Sequence, residues 1–561
     1  MTKPAARVTR TDPGPGDAAP PRARPPSSAG SGIGRAAALI AGLTILARTL
    51  GLGRQLVFAH TVQAYCLGTA YVTANQVPNI IYDVVLGGAL ASVMVPVLAR
   101  PAQRSATDPA AARQVQQISS ALLTWVVVVL GPVTVIIALT AGPIAGLLDP
   151  HNPAAHCGHA DLITVTARML AVFAPQVLCY GLAVVLYGIL QAHRKFTAPA
   201  LAPVISSLVV IGAYLLFVPF GGKHRTQLSG LPLSGQLILA VGTTIGVVAL
   251  VVTALVPALR LRLGIRPTLR FPAGVGRQAR GLAAFGVAAL VAQDASLIVV
   301  IRLANGSAAE GAVVLYTYGW QVFVSLYAVL AIPIAISAFP VLSAREGTEF
   351  DETAAGSTRA VLLMSFLGAA LLAAIAVPAA RVFASNGHQA TELALGFAAF
   401  APGLIGYGLT ACLSRVLLAA GRTGIAAVAI SGGWLAVIAA DLVLVYLAPA
   451  RWVVAALGLG NTVGMTLAGL GLILAVRRVR GRAALRSTAR AALAGLVAAV
   501  AGGAAGAAAG YGVPRPGLVL DWVAAALAAT CAALVFGGIA YLLDGGDLKA
   551  ALARIRRQAP R

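Results

Sequence analysis

Two arginines, Arg48 and Arg54, and one aspartate, Asp83, lie inside the first two stretches of the chain that are long and apolar enough to span a bilayer. An ionised side chain at the centre of a membrane helix costs roughly 2.5–3.5 kcal/mol on insertion scales, so such residues face a bundle interior or a wet cavity. Guanidinium groups stay charged at any relevant pH and pair with phosphate through two parallel hydrogen bonds. The chemistry expected of Arg48 and Arg54 is capture of an anion in a polar chamber. They stand six residues apart, about 120° around an ideal helix. They share one cavity only if the helix bends at Gly51 and Gly53; otherwise one of them snorkels to an interface. Asp83, just after Pro78 and Asn79, either contacts the cargo, with Asn79 beside it, or bridges to an arginine and neutralises its charge. Arg168, Arg302 and Arg415 lie in later spans and are further candidates, Arg302 near an end where it can instead anchor at headgroups. Gln76, Asn79 and Gln321 are amides of the kind that tie membrane helices together.

No other cluster carries catalytic chemistry. There is no P-loop, no GxSxG in suitable context and no HExxH, so an enzyme is not expected. The loop HNPAAHCGHAD holds His151, His156, Cys157 and His159, soft donors for a metal, but the spacing matches no established site and a polar loop is the simpler reading. Cys66, Cys179, Cys412 and Cys531 lie in or near apolar spans and read as small buried hydrophobes.

The elements that must position these residues are membrane helices. Of the 561 residues, 59% are hydrophobic and 10% charged, with mean hydropathy +0.87, far from the composition of a soluble domain. The net charge of +24 comes in short clusters between apolar spans, a topology signal with no nucleic-acid motif beside it. We count about fourteen spans. The expected class is an all-α polytopic membrane protein, with residues 1–34 a disordered basic tail, 35–263 an N-terminal lobe of six helices, 264–280 a basic linker, 281–480 a second six-helix lobe, 481–545 two further helices, and 546–561 a basic C-terminal tail. Residues 1–34 are too poor in large apolar side chains to build a core, and the full-length span that follows argues against a cleavable signal peptide. Arg100, Arg104 and Arg113, Arg194 and Lys195, the arginines between Arg260 and Arg280, and those between Arg477 and Arg490 all follow even-numbered spans. These connections and both termini are therefore expected in the cytoplasm.

An internal repeat is visible. FAPQVLCYGLAVVLYGILQAHRKFTAPA from Phe173 returns as FAPGLIGYGLTACLSRVLLAAGRTGIAA from Phe400, and VPVLAR ending at Arg100 returns as FPVLSAR ending at Arg345. Both pairs match spans six apart, which predicts two parallel lobes that rock around a central site. The Ala/Gly-rich last two spans suit close packing or a groove for a lipid chain.

LARTLGLGRQLVFAH with VPNII…GGALASVMVPVLAR resembles the opening of the MurJ (MviN) flippases of the MOP superfamily. GILQAHRKFTAPALAPVISSLVVI and LSRVLLAAGRTGIAA resemble later segments of that family in the same order, over roughly residues 36–480. The resemblance implies a bacterial inner-membrane flippase for lipid II, the undecaprenyl-linked peptidoglycan precursor. It further implies alternating access, a cationic central cavity matched here by Arg48 and Arg54, and a lipid-tail groove along the C-terminal helices. Some members bind a cation between the seventh, eleventh and twelfth helices. Asp294, Asp441 and Thr462, with Asn461 next to the last, would offer oxygen ligands to sodium or accept a proton. Apart from such a coupling cation or the membrane potential, no cofactor is implied, and the expected partners are lipid II, membrane lipids and cell-wall synthesis or division proteins. The chain departs from the pattern at Tyr82 and Asp83, where members carry a basic pair, at Gly87, where they carry an acid, and at Tyr318 and Gly319, where they carry an Asp-Arg pair. These departures leave room for export of another lipid-linked glycan or a small molecule, or for a membrane scaffold.

Overall fold

The structure, a computed structural model, describes residues 29–84, 98, 101–104, 107–152, 157–270, 275–512 and 517–558, with side-chain surroundings described outside 29–41, 275–286 and 544–558. Gly87, Arg100, His156 and most of the tail 1–34 fall outside these residues. Among the described residues there are eighteen α-helices and no strand. The first eight are α1 (Ala29–Thr61), α2 (Cys66–Asp83), α3 (Pro109–Leu139), α4 (Ala141–Leu148), α5 (His159–Phe173), α6 (Pro175–Ala192), α7 (Thr197–Gly221) and α8 (Leu233–Leu259). Then come α9 (Val275–Asn305), α10 (Ala312–Leu330), α11 (Ile332–Ser343), α12 (Gly347–Phe383), α13 (Gly387–Phe400), α14 (Gly403–Ala419), α15 (Thr423–Leu447), α16 (Val453–Arg480), α17 (Thr488–Tyr511) and α18 (Leu518–Gln558).

Eleven helices are long and apolar enough to cross a membrane, or up to twelve when α13 and α14, bent by 42°, count as one span. The two expected spans missing from this count, the first and the second, run into residues 29–41 and 85–97, which lie outside the residues searched, so the count covers the other twelve of the expected fourteen.

The repeat is written into helix breaks and caps. A proline follows Ala174 between α5 and α6 and Ala401 between α13 and α14, and both pairs break there. Proline cannot supply the amide that would continue the ladder. The helices that follow end alike: Lys195 N–H donates to Leu190 O and Arg422 N–H to Leu417 O, each just after a residue at positive φ, Arg194 (59°) and Gly421 (73°). This six-to-one closure uses carbonyls that the helix end leaves unpaired. Other helix starts are capped by side chains: Asp108 accepts from Ala110 N–H ahead of α3, and Asn386 from Gln389 N–H ahead of α13.

Helices α1 to α8 pack among themselves, with α7 against α1 and α8, and α9 to α16 form a second set in which α15 packs on α9 and α16. The C-terminal pair leans on α12. Gly502 and Gly506, four apart on α17, approach α18 so closely that a Cβ would lie 2.8 Å from Ala532 O and 2.5 Å from Ala528 O. Small residues here let the two backbones touch.

Candidate cargo cavity

A cavity of about 800 Å³ lies between the two sets, lined from α1, α2, α6, α7, α8, α9, α10 and α15. Among the described residues Arg48, Arg54 and Asp83 are the charged ones that line it, and Asn79 lines it with them. Both arginines line the cavity from one helix that runs on through Gly51 and Gly53. Neither arginine is in an ion pair with Asp83, and the described ion pairs all lie elsewhere. The bridging reading of Asp83 therefore does not hold in this conformation, and two guanidiniums stay available to an anion.

The amides read as helix ties, Gln76, Asn79 and Gln321, in fact line the cavity. Tyr180 OH donates to Asn79 Oδ1 at 3.1 Å, and the Tyr180 ring lies 4.5 Å from that of Tyr82, centroid to centroid. Where the resembling family carries a basic pair, this chain therefore presents an aromatic and amide wall suited to the faces and hydroxyls of a sugar. Tyr318 instead points into the core, 5.2 Å from the Phe383 ring, and Gly319 leaves only 3.0 Å between a built Cβ and Phe400. Gln293, Ser296, Thr317, Trp320 and Trp434 also line the cavity. Sequence reasoning passed over them because uncharged side chains in an apolar helix carry no burial penalty large enough to notice.

The cavity extends from Thr44, midway along α1, and Pro199, near the start of α7, to Phe58, Tyr71 and Tyr214. There it is closed by packed rings, Phe58–Tyr71 at 5.1 Å and Phe58–Tyr214 at 5.3 Å, with Tyr71 OH within 2.8 Å of Tyr214 OH and 2.7 Å of Thr243 Oγ1. Beyond this plug the two helix sets are sewn together. Asn305 Nδ2, at the end of α9, donates to Thr73 Oγ1 (2.9 Å), Leu148 O (3.2 Å) and Asp149 Oδ1 (2.6 Å). Asn152 donates to Gly306 O, and Gln389 on α13 donates to Ala64 O.

Three arginine candidates fall outside the cavity. Arg302 donates to Leu147 O and belongs to this seam; Arg415 donates to Ala411 O on its own helix; Arg168 is exposed on α5. None lines the cavity, because position within a span says nothing about which way the helix face turns.

Cys66 and Cys157 form a disulfide across the seam end of the first helix set. The reading of Cys66 as a small buried hydrophobe is thereby corrected, as is Cys157 as a soft metal donor. The signal available was that both cysteines sit in connectors of the same parity. The His151 and His159 rings lie 4.9 Å apart, and among the described residues no three His, Cys, Asp or Glu side chains gather as a metal site.

Asp294, Asp441 and Thr462 are buried on α9, α15 and α16. Among the described residues, both carboxylate oxygens of Asp441, which is 0% exposed, lack hydrogen-bond partners, as do Asp294 Oδ2 and both polar atoms of the Asn461 side chain. Thr462 Oγ1 donates to Ala399 O, keeping its lone pairs available. A buried carboxylate without a partner calls for a proton or a cation.

Comparison with known proteins agrees with this geometry. The family described as "Lipid II flippase MurJ" matches residues 58–512. A probable lipid II flippase MurJ of Synechocystis is 25% identical over 69% of this chain and 70% of its own length, and one of Rhizobium meliloti is 26% identical over 63% and 64%. Among solved structures, a lipid II flippase MurJ in an inward closed conformation superposes with TM-score 0.68 at 16% identity, covering 90% of this chain and 98% of the other. An inward-facing MATE-family multidrug transporter of the MOP superfamily gives 0.59 at 14% identity, covering 79% and 96%. A match over most of the chain, on a fold that encloses an arginine-bearing cavity, places this protein in the MurJ lipid II flippase family.

Proposed function

We propose that this chain moves lipid II across the bacterial inner membrane, from the cytoplasmic to the outer face, by alternating access. The observation that carries the reading is the pair of guanidiniums, Arg48 and Arg54, without an ion-pair partner among the described residues, in a cavity closed at one end by a hydrogen-bonded seam. The arginines hold the diphosphate, and the tyrosine and amide wall faces the sugars. Basic connectors place the open end, on the side where α7 begins, towards the cytoplasm in this reading. The Cys66–Cys157 disulfide supports this, because disulfides persist in oxidising compartments outside the cytoplasm. Both termini then lie inside. The prenyl tail stays in lipid along α17 and α18. A cavity of about 760 Å³, lined largely by alanines of α12, α13 and α17, opens there with Arg381 and Asp521 at its edge.

Asp441, Asn461 and Thr462 with Asp294 hold a coupling cation, sodium or a proton. Its supply of charge is what lets buried carboxylates persist, and Asp441→Asn is expected to remove any cation dependence of the conformational change while leaving headgroup binding intact.

The test is binding of lipid II to the purified full chain. Charge-assisted hydrogen bonds contribute about 1.5–3 kcal/mol each, so Arg48→Ala and Arg54→Ala should each weaken binding about 10- to 100-fold. Unchanged binding in both variants would remove the reading.

A further inference from the structure

The chain between α8 and residue 270 forms neither helix nor strand, yet it is held along α3 in a regular register. Gln116 Nε2 donates to Gly264 O, Arg266 N–H to Ser120 Oγ (3.0 Å), and Thr268 N–H to Thr124 Oγ1 (3.1 Å). Each four residues of helix pair with two of this strap. Four helical residues rise about 6 Å, which two residues match only when extended. Glutamine, serine and threonine four apart on α3 thus form a polar rail for the strap. Trp125 Nε1 closes it, donating to Leu269 O at 3.1 Å.

The rail stops where the membrane begins. From Val126 α3 is almost continuously apolar, and Val127, Val128 and Val129 are exposed as a lipid-facing surface would be. At this boundary the strap exposes Ile265 (45%) and Leu269 (51%) beside Trp125 (42%). Interleaved with them are exposed Arg260, Arg262, Arg266 and Arg270, none in an ion pair among the described residues. Positive charge leading along α3 to an apolar side chain and a tryptophan at the edge of its apolar run matches an interface of anionic headgroups and acyl chains.

We propose that the strap along α3 is a binding surface for anionic phospholipid headgroups of the cytoplasmic leaflet. The arginines take the phosphates, Leu269 beside Trp125 enters the upper acyl region, and the rail holds the rest of the strap along the headgroup depth that leads to it. Bound lipid thereby fixes the connector between the two helix sets to the first set at the membrane surface.

The full chain, in vesicles of phosphatidylcholine doped with dibrominated phosphatidylglycerol, tests this through tryptophan quenching. The Trp125→Phe variant identifies the share of the signal that comes from the strap among the five tryptophans. Quenching at Trp125 is expected to exceed that by dibrominated phosphatidylcholine at equal mole fraction. Each arginine near an anionic surface contributes about fivefold in affinity, so Arg266→Gln with Arg270→Gln should lower the apparent affinity roughly 25-fold at low salt. Arg482→Gln with Arg486→Gln, basic residues elsewhere on the same face, should leave it unchanged. Ser120→Ala with Thr124→Val keeps every charge but removes two rail bonds, and should weaken Trp125 quenching. Equal quenching by both brominated lipids, or wild-type affinity in the strap double variant, would overturn the proposal. So would an equal loss in the Arg482/Arg486 control, which would mean diffuse attraction without a site.

Discussion

Asn305→Ala should open the seam end of the cavity. One amide nitrogen serves three acceptors there, Thr73 Oγ1, Leu148 O and Asp149 Oδ1. Two N–H protons make two full hydrogen bonds, one of them shared, and one acceptor is a carboxyl that is only 1% exposed. Taking about 1 kcal/mol for the neutral bond and about 2 kcal/mol for the one to the carboxyl, removal costs the closed state about 3 kcal/mol, roughly 150-fold in the closed-to-open ratio. Opening readmits water to the abandoned acceptors, so the cost falls on closure alone. Asn152, Arg302 and Gln389 still tie the seam, and the full factor is therefore an upper value. The assay uses a chain with Cys179, Cys412 and Cys531 replaced, the disulfide kept, and Thr317→Cys in the cavity. A membrane-impermeant maleimide applied from the seam side should label the Asn305→Ala form tens of times faster than its parent. Equal labelling rates in the two would refute the assignment of Asn305 as the tie that keeps this end shut.

Asp149 gives the same seam a dependence on pH. Burial pushes its carboxyl up to about 7, against which the hydrogen bond from Asn305 acts only partly. An open seam returns the group to water and to the ordinary carboxylate range. Closure is therefore fully supported below about pH 4 and loses support as pH rises through 7. Maleimide labelling should accelerate from pH 5 to pH 8, and Asp149→Asn should flatten the profile while His151→Gln with His159→Gln retains it. The Cys66–Cys157 bond closes a long loop, with a sequence separation of 91, for which chain entropy alone would give up to about 4–5 kcal/mol in a soluble protein. Bilayer insertion already confines the unfolded chain, so Cys66→Ser should lower the thermal midpoint by a fraction of that, and adding Cys157→Ser should lower it little further. Arg480 donates to Asp351 Oδ1 at 2.9 Å and to Gly347 O, and covers the Phe350 ring at 4.4 Å. Arg480→Ala should destabilise the α12–α16 junction by about 1.5–3 kcal/mol, with Arg480→Lys recovering only part.

Membrane class, helix order, the repeat and the two cavity arginines were legible because bilayer physics leaves a coarse mark on sequence. An ionised residue within an apolar span must face protein or water, and Arg48 and Arg54 do. What was illegible depends on rotation and tertiary pairing. Arg302 and Arg415 satisfy the same rule by donating to backbone carbonyls, at the seam and within one helix. Asn79 and Gln76 look like helix ties in sequence yet turn to the cavity, and Cys66 finds Cys157 across a sequence separation of 91. The strap escaped notice because its partner, a rail of Gln116, Ser120 and Thr124, has no periodic hydrophobic signature.

Replacement of the native lipid II flippase in living cells tests the proposed activity most directly. Cells depleted of their own flippase should be rescued by this chain, and at matched membrane levels should not be rescued by its Arg48→Ala or Arg54→Ala forms. Lysis of cells carrying a well-inserted wild-type chain, or full rescue by both arginine variants, would contradict lipid II transport through the arginine-lined cavity.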